Sequence, residues 1–193
     1  MMNLFYEPLP ERIPVGGSYC AILTDFRDWL RFGDMLRDDE LRPEDKLDLM
    51  REWFVVPPDV LTAEMYEGLR NFCEARALNK DEPDEGQDTV EPEHLTRPPT
   101  FDWCIDAGVV IADFRRFYQI DLLRVEYLHW WEFLSLLWSL PDESQTFRRI
   151  GIRSTDLSKI RDADRKRAIA KAQLRIAIPF EMDDFAIGEA FSI

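Results

Sequence analysis

The chain has 193 residues, of which 24 are basic and 38 acidic, so its net charge is −14 at neutral pH. Its 46% hydrophobic and 12% aromatic residues provide enough apolar surface for a packed core, which excludes a wholly disordered chain. The length fits one ordinary domain. Because no stretch reaches the ~20 apolar residues of a membrane span and no leader sequence is recognisable, we expect a soluble protein that stays in the cell that makes it.

The first region, residues 1–78, is predicted to form a β-hairpin followed by three helices. The pair Gly16-Gly17 suits the positive φ angles of a tight hairpin turn. Each of the three apolar stripes that follow begins after residues that favour a first helical turn. These residues are Thr24 or Asp25, Pro43 and Thr62.

Residues 101–178 carry two longer apolar stripes and then a short helix and a basic helix. The first stripe begins at Phe101, and the second runs from about Leu122 to Leu140. Asp121 is placed to cap the second stripe, which predicts an antiparallel helix hairpin. The inward side of the first stripe is expected to consist of Phe101, Ile105, Gly108, Val109, Ala112 and Phe117.

We therefore expect a mainly α fold. It is predicted to be a helical domain with a small N-terminal β-hairpin and a central antiparallel helix hairpin, in which residues 1–78 and 101–178 pack as one domain. Residues 79–100 are acidic and proline-rich, a composition typical of a mobile linker. The tail, residues 179–193, mixes acidic and apolar residues without a period and is either a docked arm or a segment that awaits a partner.

Few residues could carry catalysis or hold a cofactor, since the chain has two histidines and no recognisable nucleophile or phosphate-binding motif. Glu126 and His129 have the Glu-x-x-His spacing of di-iron helices, but the second copy, Glu91 and His94, lies in the proline-containing linker. We favour a helix histidine that satisfies a polar contact beside two tryptophans. No enzyme, no metal and no cofactor are expected.

A row of aspartates and a run of basic residues each permit more than one interpretation. Asp102, Asp106 and Asp113 could form a magnesium-binding row, but a solvated helix face explains them as well and is favoured. Residues 148–176 carry 10 basic and 3 acidic side chains, which could contact nucleic acid, an acidic partner or the linker of this chain. Because the whole chain is acidic, a solvated or internally screened face is favoured and nucleic acid is disfavoured.

Three cysteines, odd in number and far apart, predict reduced thiols in the core and no disulfide: Cys20, Cys73 and Cys104. The tryptophans pose a second question, because the three among residues 130–138 cannot all point inward on one helix, since Trp130 and Trp131 differ by ~100° around its axis. Exposure of Trp130 would mark a contact surface, whereas burial would make it a core residue, which we favour.

Five segments have a distinctive composition: Thr24-Asp25-Phe26-Arg27, the helix from Phe101 to Tyr118, Ile120-Asp121-Leu122, Leu128-His129-Trp130-Trp131-Glu132-Phe133-Leu134 and Asp156-Leu157-Ser158-Lys159-Ile160. In this order they resemble a family of small phage proteins, the bacteriophage "gp fifteen" family, over most of the chain. Below, Thr24–Arg27 is called the first motif and Leu128–Leu134, the most specific segment, the second motif.

The resemblance implies a protein of siphophages and prophages that is no enzyme and acts in tail assembly as a chaperone-like factor. Its partners would be the tape measure protein and the major tail tube protein, in the host bacterial cytoplasm, with no membrane partner. The alternative is a structural protein that stays in the virion at the tail completion interface, and a homo-oligomer stays open for both. Candidate partner contacts are Trp130, Arg165, Arg167, Phe180 and Phe185.

Overall fold

The computed structural model describes residues 6–75, 78 and 99–179, and over these residues the fold is mainly α, as predicted. The described elements are β1 (Arg12–Val15), β2 (Ser18–Ala21), α1 (Phe26–Arg37), α2 (Pro43–Leu49), α3 (Ala63–Cys73), α4 (Trp103–Asp113), α5 (Trp130–Trp138), α6 (Gln145–Ser154) and α7 (Ala163–Arg175). None of the helices in this part of the chain is both long and apolar enough to cross a membrane.

The chain forms two compact units that interleave in sequence. Unit 1 takes residues 1–83 and 125–138, so α5 belongs with the β-hairpin and the first three helices. Unit 2 takes residues 84–124 and 139–193 and contains α4, α6 and α7. The packing of 1–78 and 101–178 as one domain stays a prediction.

The β-hairpin of unit 1 has the predicted tight turn. Gly16 and Gly17 have φ angles of 56° and 76°, which glycine adopts without steric cost. Val15 faces Ser18 across the antiparallel pair. Helix α3 lies close to β1 at Gly68, where an added Cβ would stand 2.6 Å from Cδ1 of Ile13, so the close approach requires a glycine.

The helix starts of unit 1 follow the local sequence. The Asp25 side chain accepts a hydrogen bond from the amide of Arg27, and the Thr62 side chain accepts one from the amide of Met65, as N-cap residues do. Pro43 occupies the first turn of α2. The buried faces of α1 and α3 meet aromatic side chains of α5 in a core that includes Phe26, Trp29, Phe32, Phe72 and Phe133.

The second long helix is shorter than predicted, because α5 begins at Trp130 and not near Leu122. Asp121 accepts a hydrogen bond from the amide of Leu123, but only a turn follows it. The backbone at His129 is extended and bridges to Asp25, which prevents a continuous helix through this point. A connection over residues 119–129 therefore replaces the tight helix corner.

The first long helix, α4, continues through a π-helical turn, Phe114–Tyr118, and stops at Gln119, whose φ angle of 59° is left-handed. Its predicted inward side is wrong in part, since Ile105, Gly108 and Ala112 are exposed. The buried face instead carries Asp106, Val110, Asp113 and Phe114. Residues 79–98 of the predicted linker and 180–193 of the tail, with Phe180 and Phe185, lie outside the described residues.

Candidate functional site

The two motifs that carry the family resemblance bind each other in unit 1. The amide of Phe26 donates a hydrogen bond to the carbonyl of Leu128 at 2.9 Å, and the amide of Trp130 donates one to the carbonyl of Thr24 at 2.8 Å. These two bonds pair short extended segments that precede α1 and α5. The motifs therefore bring together parts of the chain that are about a hundred residues apart.

Asp25 of the first motif joins three parts of this arrangement. Its carboxylate caps α1, forms an ion pair with Arg27 at 3.1 Å and accepts a hydrogen bond from the amide of Leu128 at 3.3 Å. Arg27 in turn donates to the carbonyl of Val125 at 2.6 Å. The charged pair of the first motif thus fixes the entry into the second motif, which is a structural role.

His129 has both ring nitrogens in use. Nδ1 accepts a hydrogen bond from the amide of Trp131 at 3.1 Å, so Nε2 carries the proton and donates it to the carbonyl of Pro10 at 3.0 Å. Burial lowers the pKa of His129 and keeps this neutral form. With no free lone pair, the ring cannot ligate a metal together with the exposed Glu126, and the favoured interpretation of a satisfied polar contact is confirmed.

The tryptophans of the second motif close the end of α3. The indole of Trp130 donates to the carbonyl of Cys73 and that of Trp131 to the carbonyl of Phe72, both at 2.8 Å. Carbonyls in the last turn of a helix lack helical partners, so the indole of Trp130 satisfies the carbonyl of Cys73. The carbonyl of Phe72 accepts a second hydrogen bond, from the amide of Ala75 at 3.1 Å. Trp130 is 4% exposed, so it is a core residue and its ring is not part of the described surface.

The three cysteines are free thiols, as predicted, but none is fully buried, since Cys20 and Cys73 are half-buried. Burial, with a smaller contribution from Glu74, raises the pKa of the Cys73 thiol to about 12, so that thiol stays protonated at neutral pH. Cys104 is exposed, which contradicts its expected burial. The reason is that Cys104 lies on the side of α4 opposite to Asp106 and Asp113.

Asp106 forms the centre of unit 2, and its predicted place on a solvated face is wrong. The side chain is 1% exposed and binds the guanidinium groups of Arg153, at 3.0 Å, and Arg149, at 3.1 Å. Burial alone would raise the pKa of this carboxyl group, but the hydrogen bonds from Arg153, from the backbone of Asp102 and from Arg149 hold its pKa below the ordinary value.

Asp113 is also buried, and it positions the start of α6. Its carboxylate accepts hydrogen bonds from the amide of Gln145 at 3.1 Å and from the amide and hydroxyl of Thr146 at 2.8 Å each. Asp102 caps α4 through the amides of Cys104 and Ile105. All three aspartates of the supposed magnesium row therefore have structural partners, and their oxygen atoms bind N–H and O–H donors of the protein.

A signal for these buried aspartates is present in the sequence. Asp106, Val110 and Asp113 share one helix face at spacings of four and seven residues, while the rest of α4 is apolar nearly all round. A helix that is apolar on most sides packs against the rest of the protein. Aspartates on its packed face are buried, and buried carboxylates need hydrogen-bond or ionic partners. The partners also form a recognisable pair in the sequence, since Arg149 and Arg153 are four residues apart and lie on one face of α6.

The basic segment divides into an internal part and a surface part. Arg149 and Arg153 neutralise Asp106 inside unit 2, so internal screening is confirmed for them, although a buried aspartate and not the linker is the anion. Helix α7 has no buried residue. Its basic side chains are exposed, and they include the predicted contacts Arg165 and Arg167.

Unit 1 presents an exposed apolar segment between α2 and α3. Val55, Val56 and Val60 have 58, 80 and 72% of their surface exposed. The segment is held at its start and in its middle, because the amide of Val55 donates to the carbonyl of Ala21 at 3.0 Å and Arg51 donates to the carbonyl of Pro58 at 2.6 Å. Side chains that are apolar, exposed and fixed by their backbone are suited to contact with another protein.

These features define a mainly α protein whose distinctive motifs hold its fold together and whose exposed segments are suited to partner contact. Among residues 6–75, 78 and 99–179, no three His, Cys, Asp or Glu side chains are grouped so that they could hold a metal ion. The chain belongs to the family described as bacteriophage Gp15 protein, whose sequence profile matches residues 5–178, and it is therefore a phage protein. No curated protein and no solved structure matches the chain.

Proposed function

We propose that this phage protein acts in tail assembly as a chaperone-like factor that binds the tape measure protein of the same phage in the host cytoplasm, and that it is not an enzyme. The family match over residues 5–178 carries the proposal, because a role in tail assembly is what the resemblance to this family implies. The major tail tube protein is a second candidate partner.

The roles of the two motifs favour a binding protein over an enzyme. The side chains that give the second motif its chemistry, His129 and two tryptophans, donate to or accept from backbone groups of unit 1. The buried carboxylates of unit 2 likewise bind arginine and helix amides. Groups that are saturated in this way stabilise a scaffold, and the exposed segments remain for recognition.

The exposed apolar segment around Val56 is the contact that we propose for the partner. The partner that the family resemblance implies, a tape measure protein, is long and helical. An amphipathic helix binds another protein through its apolar stripe. Val55, Val56 and Val60 offer exposed apolar side chains, and hydrogen bonds hold the backbone between them at Val55 and Pro58. Little ordering of the segment would therefore be needed on binding.

The test is co-expression with the tape measure protein, with soluble yield and co-purification as readouts. The proposal predicts that this protein keeps the tape measure protein soluble and co-purifies with it. A tape measure protein that stays insoluble and unbound would contradict the proposed function.

A pair of variants locates the contact. Val56→Asp places a charge in the proposed contact, and Leu123→Asp does the same at another exposed apolar residue. We expect Val56→Asp to lose most of the co-purified partner and Leu123→Asp to retain it. Equal retention by both variants would exclude this segment as the contact while leaving the function itself in place.

A further inference from the structure

Helix α7 presents a basic outward face in unit 2. Arg167, Lys171 and Arg175 follow one another at spacings of four residues, and Leu174 lies beside them, so the four side chains share one face. All four are exposed, and 81% of the surface of Leu174 is accessible to solvent. The opposite side of α7 is anchored, since Gln173 donates to carbonyls at the end of α6.

Within the described residues, the basic face of α7 has few acidic side chains close enough to pair with its cations. Like charges four residues apart on a helix destabilise it slightly, and the row contains two such pairs. Within the described part of the chain, the one ion pair of the row joins Arg167 to the equally exposed Asp164 at 3.5 Å. A ligand that suits the face would therefore carry several carboxylates together with an apolar side chain for Leu174.

The chain itself has a segment of this chemistry directly after α7. Residues 180–187 read Phe-Glu-Met-Asp-Asp-Phe-Ala-Ile, with three carboxylates among large apolar side chains, and no basic residue occurs between 177 and 193. The charge of residues 148–176, with 10 basic and 3 acidic side chains, is opposite in sign. Charge and apolar character therefore complement each other over a short stretch of sequence.

The end of α7 starts this segment beside the basic face. Arg153 donates to the carbonyl of Ile176 at 2.7 Å, and Ile178 is buried, so the exit point is fixed in unit 2. At ~1.5 Å per helical residue, Arg167 lies about 12 Å back from Arg175, the last residue of α7. An extended chain covers ~3.3 Å per residue, so about four residues span this distance.

We propose that residues 180–187 bind the outward face of α7 of the same chain. The carboxylates of Glu181, Asp183 and Asp184 pair with the three cations, and Phe185 covers Leu174. The contact goes beyond the proposed function, since it concerns the chain alone and needs no phage partner.

Photo-crosslinking of the full chain tests this contact. A benzophenone amino acid replaces Leu174, and the same replacement at the exposed Leu123 serves as the control. Isotope-labelled and unlabelled chains are mixed before irradiation, and mass spectrometry identifies the products. We expect crosslinks from position 174 to residues 180–187 within one chain and none from position 123. Crosslinks only between labelled and unlabelled chains, or none to the tail, would overturn the proposal.

A second pair of variants tests the role of charge. The triple variant Glu181→Gln, Asp183→Asn, Asp184→Asn removes the proposed carboxylates, and Glu189→Gln removes one outside the proposed segment. Because each exposed ion pair contributes little, we expect the triple variant to lower the crosslink yield by about fivefold and Glu189→Gln to leave it unchanged. An equal yield from both variants would contradict the ionic contact.

Discussion

The two units bury their polar groups by different chemistry. In unit 1 the deep contacts are neutral, with indoles that donate to carbonyls and stacked aromatic rings such as Phe26 and Phe133, whose centroids are 4.8 Å apart. In unit 2 the central contact is charged, because Asp106 binds Arg153 and both side chains are at most 5% exposed. Removal of one neutral hydrogen bond costs a modest part of the free energy of unfolding, whereas removal of one partner from a buried ion pair costs more, because it leaves a buried charge without compensation.

The largest predicted effect is the loss of the buried cation of unit 2. Arg153→Met leaves Asp106 buried with Arg149 as its remaining cationic partner, so we expect a loss of about 3–5 kcal/mol in the free energy of unfolding, measured by urea denaturation. Arg167→Met on the exposed face is the control and should change stability by less than ~0.5 kcal/mol. Similar small losses in both variants would show that the charged contact of unit 2 is unimportant.

The neutral contacts of unit 1 predict a smaller effect. Trp131→Phe keeps an aromatic ring but loses indole volume and the hydrogen bond to the carbonyl of Phe72, so we expect a loss of about 2 kcal/mol. Trp138→Phe, on the same helix but exposed, should cost almost nothing. Urea denaturation of both variants checks this. Equal destabilisation by Trp138→Phe and Trp131→Phe would contradict the prediction.

One glycine substitution in each unit should have effects of opposite sign. Gly68→Ala in α3 collides with Ile13, a cost that outweighs the better helix propensity of alanine and gives a net loss of about 1 kcal/mol. Gly151→Ala in α6 meets nothing within 4 Å and should gain up to ~1 kcal/mol. Thermal unfolding of both variants checks the signs, and a stabilised Gly68→Ala would contradict the close approach of α3 to β1.

The units should also respond to acid over different pH ranges. Burial lowers the pKa of His129, so its contribution to stability is present above the unfolded value of ~6.5 and is lost as the pH falls below it. The pKa of Asp106 is also lowered, but its contribution is lost only below the unfolded value of ~3.9. Between pH 7 and pH 5 only unit 1 should weaken.

Hydrogen exchange, corrected for the intrinsic exchange rate, measures this difference. We expect amides of α5 to lose protection between pH 7 and pH 5 while those of α4 keep theirs, and His129→Gln to abolish the change. Equal loss of protection in α4 and α5, or a pH dependence that survives in His129→Gln, would refute the assignment.

Local signals in the sequence predicted the local structure. The glycine pair of the hairpin turn, the caps Asp25 and Thr62, and the basic helix were all found, because each depends on residues that are neighbours in the chain. The start of α5 was missed, since backbone pairing with residues about a hundred positions away keeps His129 extended. The spacing of apolar residues along the sequence indicates a helix or a strand, but it does not indicate which distant segment pairs with it.

The same limit applies to the candidate site. The interpretation of His129 as a satisfied polar contact was correct, because one histidine without a second ligand set is a poor metal site. Asp106 and Asp113 were placed in solvent because their partners, on α6, lie 32 to 47 residues further along the chain. Spacing along one helix shows which side chains share a face, but not what packs against that face.

The central proposal is that this phage protein binds the tape measure protein during assembly, and a chaperone-like factor of this kind would not remain in the virion. Quantitative mass spectrometry of infected-cell lysate and of purified particles from the same culture tests it most directly. The account predicts a complex with the tape measure protein in the lysate and amounts far below one copy per tail in the particles. A fixed number of copies per particle would contradict it and identify a structural tail protein.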